Sequence, residues 1–466
     1  MAHSVKFGTD GWRAVIADNF TFDNLGLVSQ AVADFLMKKK KKNRKVVIGF
    51  DARFMSKEFA EKTAGVLLGN NIKVILSNEK VSTPAVSFYA KYKNCSLGIM
   101  ITASHNPYYF NGFKIKDSQG GAADNNITSE VEKLLGRNRV KEICLDKAYR
   151  GTFKREDLTK DYLLFIKRYV NFSLIKKLKL NVLVDLMYGS GGSYIEDILA
   201  GSKINVSYMN NEFNPSFGGI RPEPIEPNLQ KLMREMKKGR YDLGIALDGD
   251  ADRIACVLPG GRYVNAQVLL PLLAWHLVHN RGFSGGIVKT VVGSNLIDNV
   301  ASALGRVLYE TPVGFKYISR LFQTENVVIG GEEAGGIGVK DYIPERDGTM
   351  AALLLMEMLA FLKTSPLKLI KEFEDKFGRW YYARISVPSG RVNKRSLNKL
   401  KIPKRLSGRE VERVNRLDGI KIITKDNWLM FRASGTEPIV RIYSEAKTKK
   451  EADKLLSQGR RMLNGL

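Results

Sequence analysis

The chain has 466 residues, with 74 Lys and Arg against 48 Asp and Glu and a formal net charge of +26. That length is too great for one ordinary core and suggests about three or four domains. No run of about 18 apolar residues offers a transmembrane helix, and the three scattered cysteines, Cys95, Cys144 and Cys256, form neither a CxxC pair nor a disulfide framework.

In chain order, the segment 1–6 lacks the apolar core of a signal peptide, so a reducing cytoplasm and no membrane contact are expected. An apolar-periodic helix around Leu25 to Met37 ends in the basic run Lys38 to Lys42, continued by Arg44 and Lys45. Lysines there complement the helix dipole and stay solvated. Nucleic acid is not expected as a partner, because no zinc spacing, stacking motif or other recognisable module accompanies the charge. Val46 to Phe50 reads as a buried strand ending at Asp51 and Arg53, and Val74 to Leu76 and Leu97 to Met100 read similarly. The last of these runs into Ile101-Thr102-Ala103-Ser104-His105-Asn106-Pro107 and then Asn111 to Ile115. A serine is thus set on a tight turn at a strand end, with an imidazole beside it and the Lys114 ammonium nearby. An activated, reversibly phosphorylated serine could sit there, with His105 and Lys114 as candidates for proton transfer.

A second unit opens with the strand Asn181 to Asp185 and the glycine loop Gly189 to Gly192. It reaches the strand Leu243 to Leu247, which leads into Asp248-Gly249-Asp250-Ala251-Asp252-Arg253. Three carboxylates at alternate positions can converge on one hard cation, and oxygen-only ligands favour magnesium over zinc. The loop lacks the later glutamate of an EF-hand. Arg253 could bridge from this loop to a phosphate. A third unit has an apolar helix, Val268 to Val278, whose His276 and neighbouring His279 read as structural. It continues with strands Gly286 to Lys289 and Val327 to Gly331 and the loop Gly330-Gly331-Glu332-Glu333-Ala334-Gly335-Gly336. A carboxylate held there can accept two sugar hydroxyls.

One helix is expected over Met350 to Phe377. After it come the strand Tyr381 to Val387, a basic linker and the terminal helix Lys449 to Leu463, which suggest a separate α+β domain. Within that domain Arg432-Ala433-Ser434-Gly435-Thr436-Glu437-Pro438, with Arg441, offers guanidinium groups, hydroxyls and a glycine backbone suited to a phosphate dianion. It is not a Walker loop. The first three units share a strand-then-loop plan. Boundaries near 155, 258 and 375 divide the chain into 1–155, 156–258, 259–374 and 375–466.

Taken in order, these loops resemble the α-D-phosphohexomutase superfamily, the phosphoglucomutase and phosphomannomutase enzymes, over essentially the whole chain. The opening Gly8-Thr9-Asp10-Gly11-Trp12-Arg13 is similar to that family's N-terminal signature. The resemblance implies an α/β fold of three related α/β domains with mixed sheets, plus a C-terminal α+β domain, around a central cleft. It implies that Ser104 is the phosphoserine and that Asp248, Asp250 and Asp252 hold Mg²⁺ together with a phosphoserine oxygen. Arg13, His105, Lys114 and Arg253 would line the reacting centre. Glu332, with Ala334 beside it, would read sugar hydroxyls. Arg432, Ser434, Gly435, Thr436 and Arg441 would grip the non-reacting phosphate. Lys289 resembles a substrate-facing lysine of the third domain, and Gly314 and Lys316 resemble a sugar-orientation loop. A hexose 1,6-bisphosphate would serve as intermediate and activator for a small-molecule hexose phosphate, in a monomer or dimer.

The sugar loop departs from the family's commoner patterns. Ala334 replaces a frequent serine, Glu333 and Gly336 stand where bacterial phosphomannomutases show methionine and histidine, and phosphoglucosamine mutases usually carry glutamine and histidine. The Glu-Glu pair with Gly-Gly is more similar to phosphoglucomutases, so glucose phosphate is the expected substrate. The alternatives are a phosphomannomutase or bifunctional glucose/mannose enzyme, then a phosphoglucosamine mutase. A bisphosphate synthase, a catalytically weakened sugar-phosphate sensor and a binder of anionic surfaces stand further off.

Overall fold

The computed structural model describes residues 5–8, 10–39, 44–388, 394–433 and 439–464. The first sheet contains β1 (Trp12–Val15), β2 (Lys45–Phe50), β3 (Lys73–Ser77), β4 (Leu97–Ile101), β5 (Phe110–Lys116) and β6 (Phe153–Glu156), in the order β1-β5-β4-β2-β3-β6. The second contains β7 (Leu180–Asp185), β8 (Ile204–Met209), β9 (Leu243–Leu247), β10 (Ile254–Leu258) and β11 (Arg262–Val264), in the order β11-β10-β9-β7-β8. The third contains β12 (Gly286–Thr290), β13 (Leu308–Thr311), β14 (Val327–Gly331) and β15 (Ile337–Val339), in the order β13-β12-β14-β15.

All three sheets are mixed for the same reason. Strands such as β4, β9 and β14 are apolar and buried throughout, as parallel strands covered by helices on both faces must be. In each sheet one such strand then reverses into an antiparallel partner: β4 into β5, β9 into β10, β14 into β15. The three reversals carry the Ser104, Asp248 and Glu332 loops. The second sheet runs on to Val264, past the expected edge at 258, because Pro259, Gly260 and Gly261 form a tight turn that pairs β11 with β10.

The fourth sheet is antiparallel throughout. After β16 (Tyr381–Pro388) come a small ribbon of β17 (Arg405–Leu406) and β18 (Arg409–Glu410), then β19 (Arg413–Asn415), β20 (Ile420–Ile423), β21 (Trp428–Ala433) and β22 (Ile439–Ala446). The order is β16-β22-β21-β20-β19, with the helix Lys449–Asn464 against one face. This domain has its own core around Leu406, Phe431, Ile442 and Leu455. By contrast, one apolar cluster runs from Val86 and Phe88 through Tyr162, Ile245 and Leu247 to Leu353 and Phe373, so the first three domains share a core.

The expected helix Met350 to Phe377 is two helices, Gly348–Leu362 and Pro366–Phe377, bent by 85°. Lys363 takes a left-handed conformation, Ser365 caps the second helix, and Pro366 opens it, which is a strong stop-and-restart signal. Among the described residues no single helix is long and apolar enough to cross a membrane.

Candidate active site

The Ser104 turn is held from beneath. Ser104 sits in the left-handed region at φ +53°. Its N–H donates to Thr102 Oγ1 at 2.8 Å, and Thr102 in turn donates to Asp51 at 2.6 Å. Arg53, fully buried at the end of β2, donates to the carbonyls of Ser104 (2.5 Å), Asn106 (2.7 Å), Pro107 (2.8 Å) and Phe110 (3.0 Å). Four carbonyls on one planar fork fix the turn. The serine hydroxyl donates to Asp248 Oδ2 at 3.0 Å and lies 3.4 Å from His105 Nδ1. Burial, with Arg253, Arg13 and Lys114 close by, pushes the His105 pKa well down and keeps the imidazole neutral.

The loop after β9 brings Asp248, Asp250 and Asp252 together with no exposed surface, their ligand atoms all within 4.8 Å of one another. Ala251 adopts a left-handed conformation that allows so tight a turn. Burial and the two neighbouring carboxylates raise the Asp248 pKa well above its usual range. Asp250 Oδ1 and Asp252 Oδ1 are buried without a hydrogen-bond partner. Unpaired carboxylate oxygens packed this closely are a site that a hard divalent cation would satisfy, and the all-oxygen donor set suits one.

Lys114 reaches into the same loop from β5. Its ammonium lies 2.8 Å from Asp10, 2.8 Å from Asp250 and 3.1 Å from Asp252. Burial works against its charge, but the three carboxylates outweigh it and raise the pKa, so the group stays protonated. Arg346 joins the cluster. Its guanidinium is 2.7 Å from Asp10, 2.8 Å from Asp252 and 2.9 Å from Glu332. Glu332 is thereby tied to Asp10 and to the cation loop. The tie is reinforced by the main chain, where Ile254 N–H donates to Gly335 O at 3.0 Å.

Of the other residues singled out in the sequence, Arg13 donates to Asn106 Oδ1 at 2.8 Å on the serine turn. Arg253 stands 3.8 Å from Asp252, 3.9 Å from Asp248 and 3.8 Å from Glu223. Ala334 is half-buried in its turn. Lys316 donates to Asn125 Oδ1 of the first domain at 2.8 Å, just after Gly314, whose φ is +132°. Lys289 is buried, paired with Asp298, and 3.8 Å from Glu310, beside the fourth domain. Arg432 and Arg441 lie opposite each other on β21 and β22, with Arg432 Nε 2.7 Å from Asp418. Ser434, Gly435 and Thr436 lie outside the described residues. Sequence reasoning missed Arg346 and Glu345, and it saw Asp10 and Arg53 only as parts of runs. The available signal was a charged stretch, Glu345-Arg346-Asp347, between apolar segments that bury it.

Residues 4–141, 160–261 and 265–377 match the phosphoglucomutase/phosphomannomutase alpha/beta/alpha domains I, II and III, and residues 393–461 match the C-terminal domain of the same family. The chain is 31% identical over 462 residues to a phosphoglucomutase/phosphomannomutase from Thermococcus kodakarensis, covering 98% of each chain. It is 30% identical over 464 residues to a phosphoglucosamine/phosphogalactosamine mutase from Sulfurisphaera tokodaii, covering 98% of this chain and 99% of that one. Among solved structures, a proposed phosphomannomutase from Thermus thermophilus matches all of both chains at 32% identity, with a TM-score of 0.89. With four domains matched in order and the Ser104 hydroxyl turned towards a triad of carboxylates, the chain belongs to the phosphoglucomutase/phosphomannomutase family of the α-D-phosphohexomutases, enzymes of intramolecular phosphoryl transfer.

Proposed function

We propose that this enzyme interconverts hexose 1-phosphate and hexose 6-phosphate, with glucose preferred, through phospho-Ser104 and a hexose 1,6-bisphosphate. The observation that carries this reading is the Ser104 hydroxyl, 3.0 Å from the buried cation-ready carboxylate Asp248 and beside a neutral imidazole. Mg²⁺ held by Asp248, Asp250, Asp252 and an oxygen on Ser104 would draw charge from a phosphoryl group. In the first half-reaction the Ser104 O–P bond breaks as a sugar hydroxyl oxygen bonds to phosphorus. The hydroxyl proton passes by way of the neutral His105 to the departing Ser104 oxygen, beside its Nδ1, so that Ser104 leaves as a hydroxyl, and Lys114 and Arg253 balance the charge of the moving group. The bisphosphate turns end for end, and its other phosphoryl returns to Ser104. Arg432 and Arg441 would hold whichever phosphate is not reacting, with Ser434, Gly435 and Thr436 completing that grip. The acidic Glu332-Glu333 pair and the Gly335-Gly336 turn favour glucose.

A bifunctional glucose/mannose reading is the second choice. Ala334 supports it, since a turn without a hydroxyl there reads one sugar position less strictly. Initial rates with Mg²⁺ and a trace of glucose 1,6-bisphosphate, comparing glucose, mannose and glucosamine 1-phosphates by kcat/KM, test both. A glucose preference of at least about tenfold is expected. Near-equal glucose and mannose values would support the bifunctional reading, and a preference for the amino sugar would overturn both. Ser104→Ala should abolish turnover and leave the fold intact.

A further inference from the structure

One member of the buried ion cluster has no part in the phosphoryl transfer described above. Arg346 lies between β15 and the helix Gly348–Leu362, is 3% exposed, and spreads its guanidinium over three domains. Nη1 donates to Glu332 Oε2 at 2.9 Å, Nη2 reaches Asp10 at 2.7 Å and Asp252 at 2.8 Å, and Nε stands 3.2 Å from Glu345. Its guanidinium carbon is 5.3 Å from the centre of the Phe315 ring, the residue after Gly314. The turn that carries Glu332 is shaped around this side chain. A Cβ at Gly336 would fall 2.1 Å from Arg346 Cδ and 2.7 Å from Cγ, closer than real side chains pack. The missing side chain at 336 is therefore the space through which the arginine stem runs.

We infer that Arg346 is the positioning residue for sugar recognition: lodged in the space left by Gly336, it engages Glu332 Oε2 and presents Oε1 to a sugar hydroxyl. This rests on the reading of Glu332 as the hydroxyl acceptor. The fork suits the task. One nitrogen orients Glu332, while the other is shared by Asp10 and Asp252, so the sugar-reading carboxylate is set in fixed register with the reacting centre.

The test compares glucose 1-phosphate with its 3-deoxy and 4-deoxy analogues, by kcat/KM at saturating Mg²⁺, in the full-length enzyme. The variants are Glu332→Ala, Arg346→Met, Gly336→Ala, and the double variant of the first two. Glu332→Ala should reduce discrimination against at least one analogue by about tenfold or more. Arg346→Met should reduce it for the same analogue, and the double variant should discriminate no worse than Glu332→Ala alone, because both act through one carboxylate. Gly336→Ala keeps the guanidinium charge but displaces its stem, and should show the same loss even if Arg346→Met folds poorly. A role only in stability or in holding the cation would slow parent and analogues alike and leave the ratio unchanged, which would overturn the inference. Losses that multiply in the double variant would overturn it too. Unchanged discrimination in Glu332→Ala would refute the reading of Glu332 and this inference with it, whereas a loss there without one in Arg346→Met and Gly336→Ala would refute this inference alone.

Discussion

The Ser104 turn depends on a buried residue outside it, Arg53. Ser104 is held at a positive φ, a conformation that costs a non-glycine residue on the order of 1–3 kcal/mol. Arg53 offsets this by donating to four carbonyls of the turn while paired with Asp51 at 3.1 Å. Arg53→Lys supplies a charge but no fork, so several carbonyls in a buried turn lose their partners. The expected loss is on the order of 2–4 kcal/mol of stability, with slower phosphorylation of Ser104 by bisphosphate. Urea denaturation and a single-turnover phosphorylation assay measure the two. A variant with native stability and a native rate would show that the turn stands by itself. This division also explains what could be read in advance. The Ser104 and Asp248 loops are contiguous, so their chemistry shows in a string of letters. Arg53, Asp10 and Arg346 act across 51, 104 and 14 residues, on Ser104, Lys114 and Glu332 respectively, and only folding brings those groups together.

At the scale of elements, apolar runs ending in polar loops made β2, β4, β9, β12 and β14 legible. The reversal of each loop-bearing strand into an antiparallel partner was not, because pairing is a long-range choice among similar strands. β6, Phe-Lys-Arg-Glu, is an edge strand too charged to look like one. The helix Gly348–Leu362 shows a local signal with a distant consequence. Asp347 caps it by accepting from Met350 N–H at 3.0 Å, and also accepts from the hydroxyls of Tyr162 (2.9 Å) and Tyr342 (2.8 Å). Burial raises its pKa to about 6, against the pull of those hydrogen bonds. The unfolded value is near 3.9, so between about pH 4 and pH 6 the native state binds more protons than the unfolded chain. Stability from this group is therefore present at low pH and is lost as pH rises through about 6. Asp347→Asn cannot ionise. The stability of the wild type minus that of the variant should fall by about 2 kcal/mol between pH 4.5 and 7.5, read from urea midpoints. A difference independent of pH would mean that the carboxylate titrates normally.

At the scale of the molecule, three domains share a core and the fourth docks on them. One face of its sheet sets Trp428, Met430 and Tyr443 against Val291 and Val292. Polar contacts flank this patch. Glu445 accepts from Asn295 N–H at 2.8 Å, Asp418 accepts from Val313 N–H at 3.1 Å, and Arg384 lies 3.6 Å from Glu223, the carboxylate that also faces Arg253. An interface with a small apolar patch and a polar rim can open and close, as the proposed turn of a bisphosphate would require. Lys421 is the weak point in this docking. It is 2% exposed, donates to Val291 O at 2.7 Å, and has its ammonium 4.3 Å from the centre of the Trp428 ring. Burial and the neighbouring Lys289 push its pKa down to about 7, against the pull of Glu310, Glu445 and Asp298. An undocked lysine titrates near 10.4. Between about pH 7 and pH 10 the undocked state thus binds more protons, and docking strengthens as pH rises through that window; below it both states are charged and the burial cost is felt in full. Lys421→Met removes the titration. The melting temperature of the wild type minus that of the variant should increase from pH 6.5 to pH 9, followed on the transition that reports the C-terminal domain. A constant difference would place the Lys421 proton outside the docking equilibrium, leaving the Glu445 and Asp418 contacts to set how readily the fourth domain opens.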